Sequence, residues 1–107
     1  TWCYYYAKAE LARQQGQWEH VINLIDEATS LGFAPEDPLE WLPYIEAQAM
    51  TDHGAAAEAL TNDLLTSDKR TKRGLCQVWE QVHAKSPEGS ADNIHANTIL
   101  VTLQCAP

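Results

Sequence analysis

Two stretches of this 107-residue chain read as one unit written twice: Tyr6, Ala9, Gly16 and Ile22 recur 38 positions later as Tyr44, Ala47, Gly54 and Leu60. A repeat of that length, with a glycine between two segments of helical periodicity, is the mark of a stacked helix hairpin. A single hairpin buries its apolar face only against its neighbours, so the repeat predicts a packed helical array with a groove along one side. Tyr5, Tyr6, Ala9 and Ala12 fall on one face of a first helix that ends at Gly16, and Trp18, Val21, Ile22, Ile25 and Ala28 follow at three- and four-residue intervals up to Gly32. Together they predict a hairpin over 2–31.

A second hairpin is expected over 39–66, entered through Asp37 and Pro38, an N-cap and first-turn pair. Its first helix carries Trp41, Leu42, Ile45, Ala47 and Met50; its second should turn Ala56, Ala59, Leu60 and Leu64 inward. Pro43 either starts the regular helix near Leu42 or bends its first turns. A terminal helix pair is expected over 68–104. Leu75, Val78, Trp79 and Val82 give its first member an unbroken apolar stripe. The last segment is β-branched at Thr98, Ile99, Val101 and Thr102, yet no second strand exists to pair with it. Helix is therefore preferred, capped by Ser90 or Asp92, with Ile94, Ile99, Leu100 and Leu103 on one side. The fold class is all-α, an array of antiparallel hairpins with about six helices in a single domain.

The residues resemble the tetratricopeptide family, whose unit places a small residue in the first helix, a glycine at the turn, an aromatic after it, then a small and an apolar residue. Ala9, Gly16, Trp18, Val21, Ile22 and Ala28 carry the match in the first hairpin, and Ala47, Gly54, Ala59 and Leu60 in the second. The chain departs at Ala56, where the aromatic is missing, and at the family's terminal proline. The resemblance implies right-handed superhelical stacking and a concave groove lined by the first helix of each hairpin. A narrower similarity, in WCYYYAKAELARQQGQWEHVINLIDEA, EWLPYIEAQA and LCQVWEQV, is to the soluble C-terminal helical domain of large uncharacterised bacterial membrane proteins, some of them glycosyltransferase-like. That similarity, with a first residue that is Thr rather than Met, implies a domain excised from a longer, membrane-tethered protein, and it implies no chemistry for this segment.

On the family's pattern, aligning the two glycines sets Cys3, Tyr6, Glu10 and Arg13 beside Trp41, Tyr44, Gln48 and Thr51, and Tyr6, Glu10, Arg13, Trp41, Tyr44 and Gln48 are expected as an aromatic groove with a polar edge, suited to a protein or peptide partner. The competing reading is that the same aromatics pack hairpin on hairpin. The lysine and asparagine pattern that clamps a peptide's terminal carboxylate in some family members is absent. Lys69, Arg70, Lys72 and Arg73 put four of the seven basic residues in one cluster at the start of the fifth helix, a basic patch for an anionic lipid or acidic partner, or a solvated loop balancing Asp63 and Asp68.

A formal charge of −8 repels phosphate backbones and argues against nucleic acid. His20, His53, His83 and His95 make no zinc motif, and neither HExxH nor CxxC occurs, so no metal or cofactor is expected. Glu10, Glu46 and Glu58 are the carboxylates with a chance of burial, but no nucleophile accompanies them, and the chain reads as non-catalytic. Cys3, Cys76 and Cys105 are expected as three buried thiols in a reducing compartment, with one disulfide and a free thiol as the alternative; the cytoplasm is the favoured location.

Overall fold

Three helix hairpins follow one another along the chain, and a computed structural model describes residues 1–105. The first pairs α1 (Trp2–Gln14) with α2 (Trp18–Ser30), the second α3 (Leu42–Ala49) with α4 (Gly54–Ser67), and the third α5 (Lys72–Lys85) with α6 (Ala91–Thr102). Short 3₁₀ turns at Pro38–Trp41 and Lys69–Thr71 lead into α3 and α5. There is no strand among the described residues. Helix α3 touches α1, α2 and α5, so the first helices of the three hairpins form one layer. The radius of gyration, 13.1 Å, is that of one folded body of this length.

The caps explain the boundaries. Asp37 accepts from the Leu39 amide at 2.9 Å, and Pro43 sits in the first turn of α3, where its missing N–H costs nothing. The regular helix thus begins at Leu42. Ser90 caps α6 by accepting from the Asn93 amide at 3.2 Å, and helix prevails over the β-branched run. The fifth helix starts at Lys72, four residues later than Asp68, because Asp68 caps the 3₁₀ turn before it through the Arg70 amide.

Four helices end in the same way, with a left-handed residue and a bond from the next amide back to a carbonyl five residues earlier. Gln17 reaches Ala12, Phe33 reaches Ala28, His53 reaches Gln48 and Cys105 reaches Leu100. The left-handed residues are Gly16, Gly32, Asp52 and Gln104. In the second hairpin the turn therefore falls on Asp52, φ 63°, and Gly54 is the first residue of α4. Gly54 serves a different purpose: a Cβ there would overlap the imidazole of His95, so the glycine lets α6 approach α4.

This relocates the repeat. Matching turn to turn, Gly16 to Asp52, gives a structural period of 36 rather than 38. Buried Ala9, Val21, Ile25 and Ala28 then coincide with buried Ile45, Ala57, Thr61 and Leu64. The expected inward face of α4 is corrected accordingly: Ala56 and Ala59 are exposed, Leu60 is half-buried, and Leu64 alone is buried as expected. On α6 the buried positions are Asn93, Ala96 and Ile99, and Ile94 is 59% exposed.

The interior has two parts. One gathers Trp2, Ala9, Ala12, Val21, Ile25, Ala28 and Ala47; the other gathers Ile45, Ala49, Ala57, Leu64 and the apolar faces of α5 and α6 around Trp79. The Trp79 indole, fully enclosed, donates to Thr61 Oγ1 at 3.0 Å, and Thr61 donates onward to the Ala57 carbonyl at 2.8 Å. The polar edge of the ring is thereby satisfied inside the core.

The cysteines also differ from expectation. Cys76 on α5 and Cys105 beyond α6 form a disulfide with a Cα separation of 5.7 Å, and Cys3 is exposed. The antiparallel α5–α6 hairpin brings residues 29 apart in sequence to bonding distance. That pairing is not visible in their spacing.

Candidate groove on the inner helix layer

A groove of about 620 Å³ runs across the layer made by α1, α3 and α5. Tyr6, Glu10 and Arg13 form one wall; Leu39, Leu42, Pro43 and Glu46 the floor; Gly74, Gln77, Val78, Glu80 and Gln81 the other wall. Gly74 sets the approach of α5, since a Cβ there would meet Leu39 Cδ2 and Leu42 Cδ1 at 3.1 Å. Leu39, Leu42 and Pro43 give the groove an apolar strip beside the charged and amide side chains of Glu10, Arg13, Glu46, Gln77, Glu80 and Gln81, a mix that suits recognition.

Of the six residues expected to line it, Tyr6, Glu10 and Arg13 do so. Trp41, Tyr44 and Gln48 lie elsewhere, between the hairpins. Trp2, Trp41 and Tyr44 follow one another at centroid distances of 5.6 and 5.9 Å, and Tyr6 stacks on Trp2 at 6.4 Å. The Trp2 indole N–H donates to Glu40 at 3.1 Å, tying α1 to the turn before α3. Tyr44 donates to Asp26 on α2 at 2.6 Å. Burial, with this carboxylate beside it, pushes the Tyr44 phenol up to about 12. Gln48 takes the register of buried Ala12, and its Oε1 is enclosed with no hydrogen-bond partner.

The reason is the two-residue difference in period. Two residues turn an α-helix by about 200°, so a register set on Gly54 selects the opposite face of α3. On the period of 36, Tyr6 and Glu10 correspond to Leu42 and Glu46, and both line the groove. Tyr6 alone joins the aromatic ladder to the groove wall; burial raises its phenol above the ordinary value, and Glu10 adds to that.

The charged end of the groove is a network of four side chains on three helices. Arg13 pairs with Glu10 through two bonds, 2.9 and 3.2 Å, and its other terminal nitrogen lies 3.7 Å from Glu46. The Glu46 side chain is 3% exposed and accepts from Lys85 Nζ at 2.9 Å. Lys85 also lies over the Trp18 ring at 5.4 Å. A buried carboxylate is tolerated only when so paired. The Glu10 hydrogen bond holds the Arg13 guanidinium above its ordinary pKa. Glu46 stands in the sequence as one of three carboxylates with a chance of burial, and it is buried here, whereas nothing in the local pattern singles out Lys85 as its partner.

The basic residues Lys69, Arg70, Lys72 and Arg73 are exposed and cluster around the start of α5, and none of them lines this groove. Arg70 forms two bonds to Asp68 at 3.0 and 2.9 Å, which hold the Asp68 carboxyl below its ordinary pKa. Among the described residues, no three His, Cys, Asp or Glu side chains converge to hold a metal ion, and no helix is long and apolar enough to cross a membrane. Compared with protein-family models, curated proteins and solved structures, the chain matches none.

Proposed function

We propose that this domain is a non-catalytic protein-interaction module that receives a peptide segment in the groove between α1, α3 and α5. The observation that carries this reading is the groove itself, whose floor holds Leu39, Leu42 and Pro43 and whose walls come from α1 and α5. This is where a tetratricopeptide-like array would hold its partner. Arg13 and Lys85 are already engaged by Glu10 and Glu46, whereas Glu80 has no ion-pair partner among the described residues. The groove therefore favours a segment with an apolar anchor and a basic flank, as the net charge of −8 does at longer range.

The test is a peptide-display screen against the wild-type domain, repeated with Tyr6→Ala and with Gln77→Trp, which fills the groove from its α5 wall. Enriched peptides should carry an apolar residue next to Lys or Arg and lose binding to both variants. Peptides that bind both variants as well as wild type would refute the groove as the site. A second reading, a structural domain that packs on its parent chain, draws support from Ile94 and Val101, 59% and 70% exposed on the outer face of α6. In that case Ile94→Lys with Val101→Lys would release the domain from its parent while the groove variants would not. The disulfide fits an oxidising compartment better than the cytoplasm.

A further inference from the structure

The basic cluster has a structural setting that the groove does not use. Lys69, Arg70, Lys72 and Arg73 line one side of a second concavity, of about 660 Å³, which adjoins the groove along Gln77 and Glu80 of α5. Its opposite side is Gln104 with the Cys76–Cys105 disulfide, and Gln77 and Glu80 complete it along α5. We propose that this concavity binds a small soluble phosphate ester.

Charge is the first support. The molecule is strongly acidic, yet four of its seven basic residues meet at one place. Local stability does not account for them: Lys72 and Arg73 occupy the first turn of α5, the end of a helix that disfavours cations. Arg70 is paired with Asp68, while Lys69, Lys72 and Arg73 have no ion-pair partner among the described residues. Unpaired cations facing a shared hollow suit an anion that accepts several charge-assisted hydrogen bonds, and a guanidinium matches phosphate in two-pronged fashion.

Shape is the second. The site is concave, and its wall is covalently fixed, because the disulfide holds Gln104 and Cys105 against α5. A fixed wall lowers the ordering cost of binding. No aromatic or large aliphatic side chain lines the hollow to enter a bilayer, and the acidic remainder of the surface repels anionic lipid. A discrete ligand fits this geometry better than a membrane plane does. Gln77 and Gln104 offer amide groups, and Glu80 an acceptor, for hydroxyls beside the phosphate.

Titration of the oxidised, isotope-labelled domain with glycerol 1-phosphate, followed by amide chemical shifts, tests the site. Shifts should concentrate at Lys69–Gln77 and Gln104–Cys105, saturate with a Kd of about 1 mM or tighter at low salt, and weaken as salt rises. Lys72→Gln with Arg73→Gln, two exposed changes that break no ion pair, should weaken binding at least about tenfold, near 1.4 kcal/mol. Reduction of the disulfide should weaken it several-fold in wild-type protein that is still folded. Equal binding by the double variant, or no saturable shifts at these residues, would overturn the proposal. Sedimentation with phosphatidylglycerol vesicles without binding of the soluble ester would also overturn it, by assigning the patch to a lipid surface.

Discussion

Replacing Gly54 by alanine separates two explanations for a glycine at the second hairpin. Were Gly54 the left-handed turn residue, a Cβ would strain its own backbone. In this fold it opens α4 without a positive φ, and alanine there would gain up to about 1 kcal/mol in helix propensity. The obstacle is instead the His95 imidazole, which occupies the space a Cβ needs. That ring is anchored, with Nε2 at 3.0 Å from Glu58 and its plane edge-on to Trp79 at 5.7 Å. To admit the methyl it must swing outward and give up both contacts, worth about 1 kcal/mol for the hydrogen bond and about 0.5–1.5 kcal/mol for the aromatic pair. Gly54→Ala should therefore cost about 1–2 kcal/mol net, whereas His95→Ala alone forfeits the same contacts and the double variant adds little further loss.

Urea denaturation followed by circular dichroism reads this cycle directly. With a slope of about 1–3 kcal/mol per molar for a domain of this size, the Gly54→Ala midpoint should fall by roughly 0.3–2 M. Gly16→Ala is the internal reference: φ is +71° and a Cβ there meets open space, so its cost comes from backbone strain. That cost should be unchanged in a His95→Ala background. If Gly54→Ala is equally costly with and without His95, the close approach of α6 is not what the glycine serves, and the explanation by His95 is refuted.

Other consequences are as direct. Removing the disulfide by Cys76→Ser with Cys105→Ser should lower stability by about 2–4 kcal/mol, the range for closing a loop of this size, and thermal unfolding under oxidising conditions would show it. Trp79→Phe should cost about 2 kcal/mol in the same assay, since it leaves a void and strips the fully buried Thr61 hydroxyl of its donor partner. Tyr44 keeps its proton in the folded state to about 12, against 10.0 when unfolded, so its contribution is whole below the lower value and is lost as pH rises through that window. Absorbance titration of wild type against Tyr44→Phe should show one phenol ionising late, and the variant's stability should fall less steeply across the same interval.

Much of the architecture is legible in the residues. The apolar stripes of α2 and α5, Gly16 and Gly32 at positive φ, and the Asp37 and Ser90 caps all stand in the sequence with their structural meaning intact. The groove is less so. Asp52 accepts a left-handed conformation that glycine usually takes, while Gly54 answers a tertiary demand from His95 that no local pattern announces. A repeat aligned on glycines therefore points to Tyr44 and Gln48 where the fold presents Leu42 and Glu46. The disulfide was hidden for a related reason, since its partners meet only after α6 folds back along α5.

The shortest helix has a consequence for how the molecule comes apart. Helix α3 spans eight residues and gives Ala47 to one interior cluster and Ile45 and Ala49 to the other. The cluster on the α4–α6 side is closed by a covalent bond, while the α1–α2 side has none. Opening is then expected to be stepwise, with the amides of α1 and α2 exchanging with solvent as one unit while those around Trp79 wait for global unfolding. A pull on the amino-terminal hairpin would reach the groove first, because Tyr6, Glu10 and Arg13 leave with it.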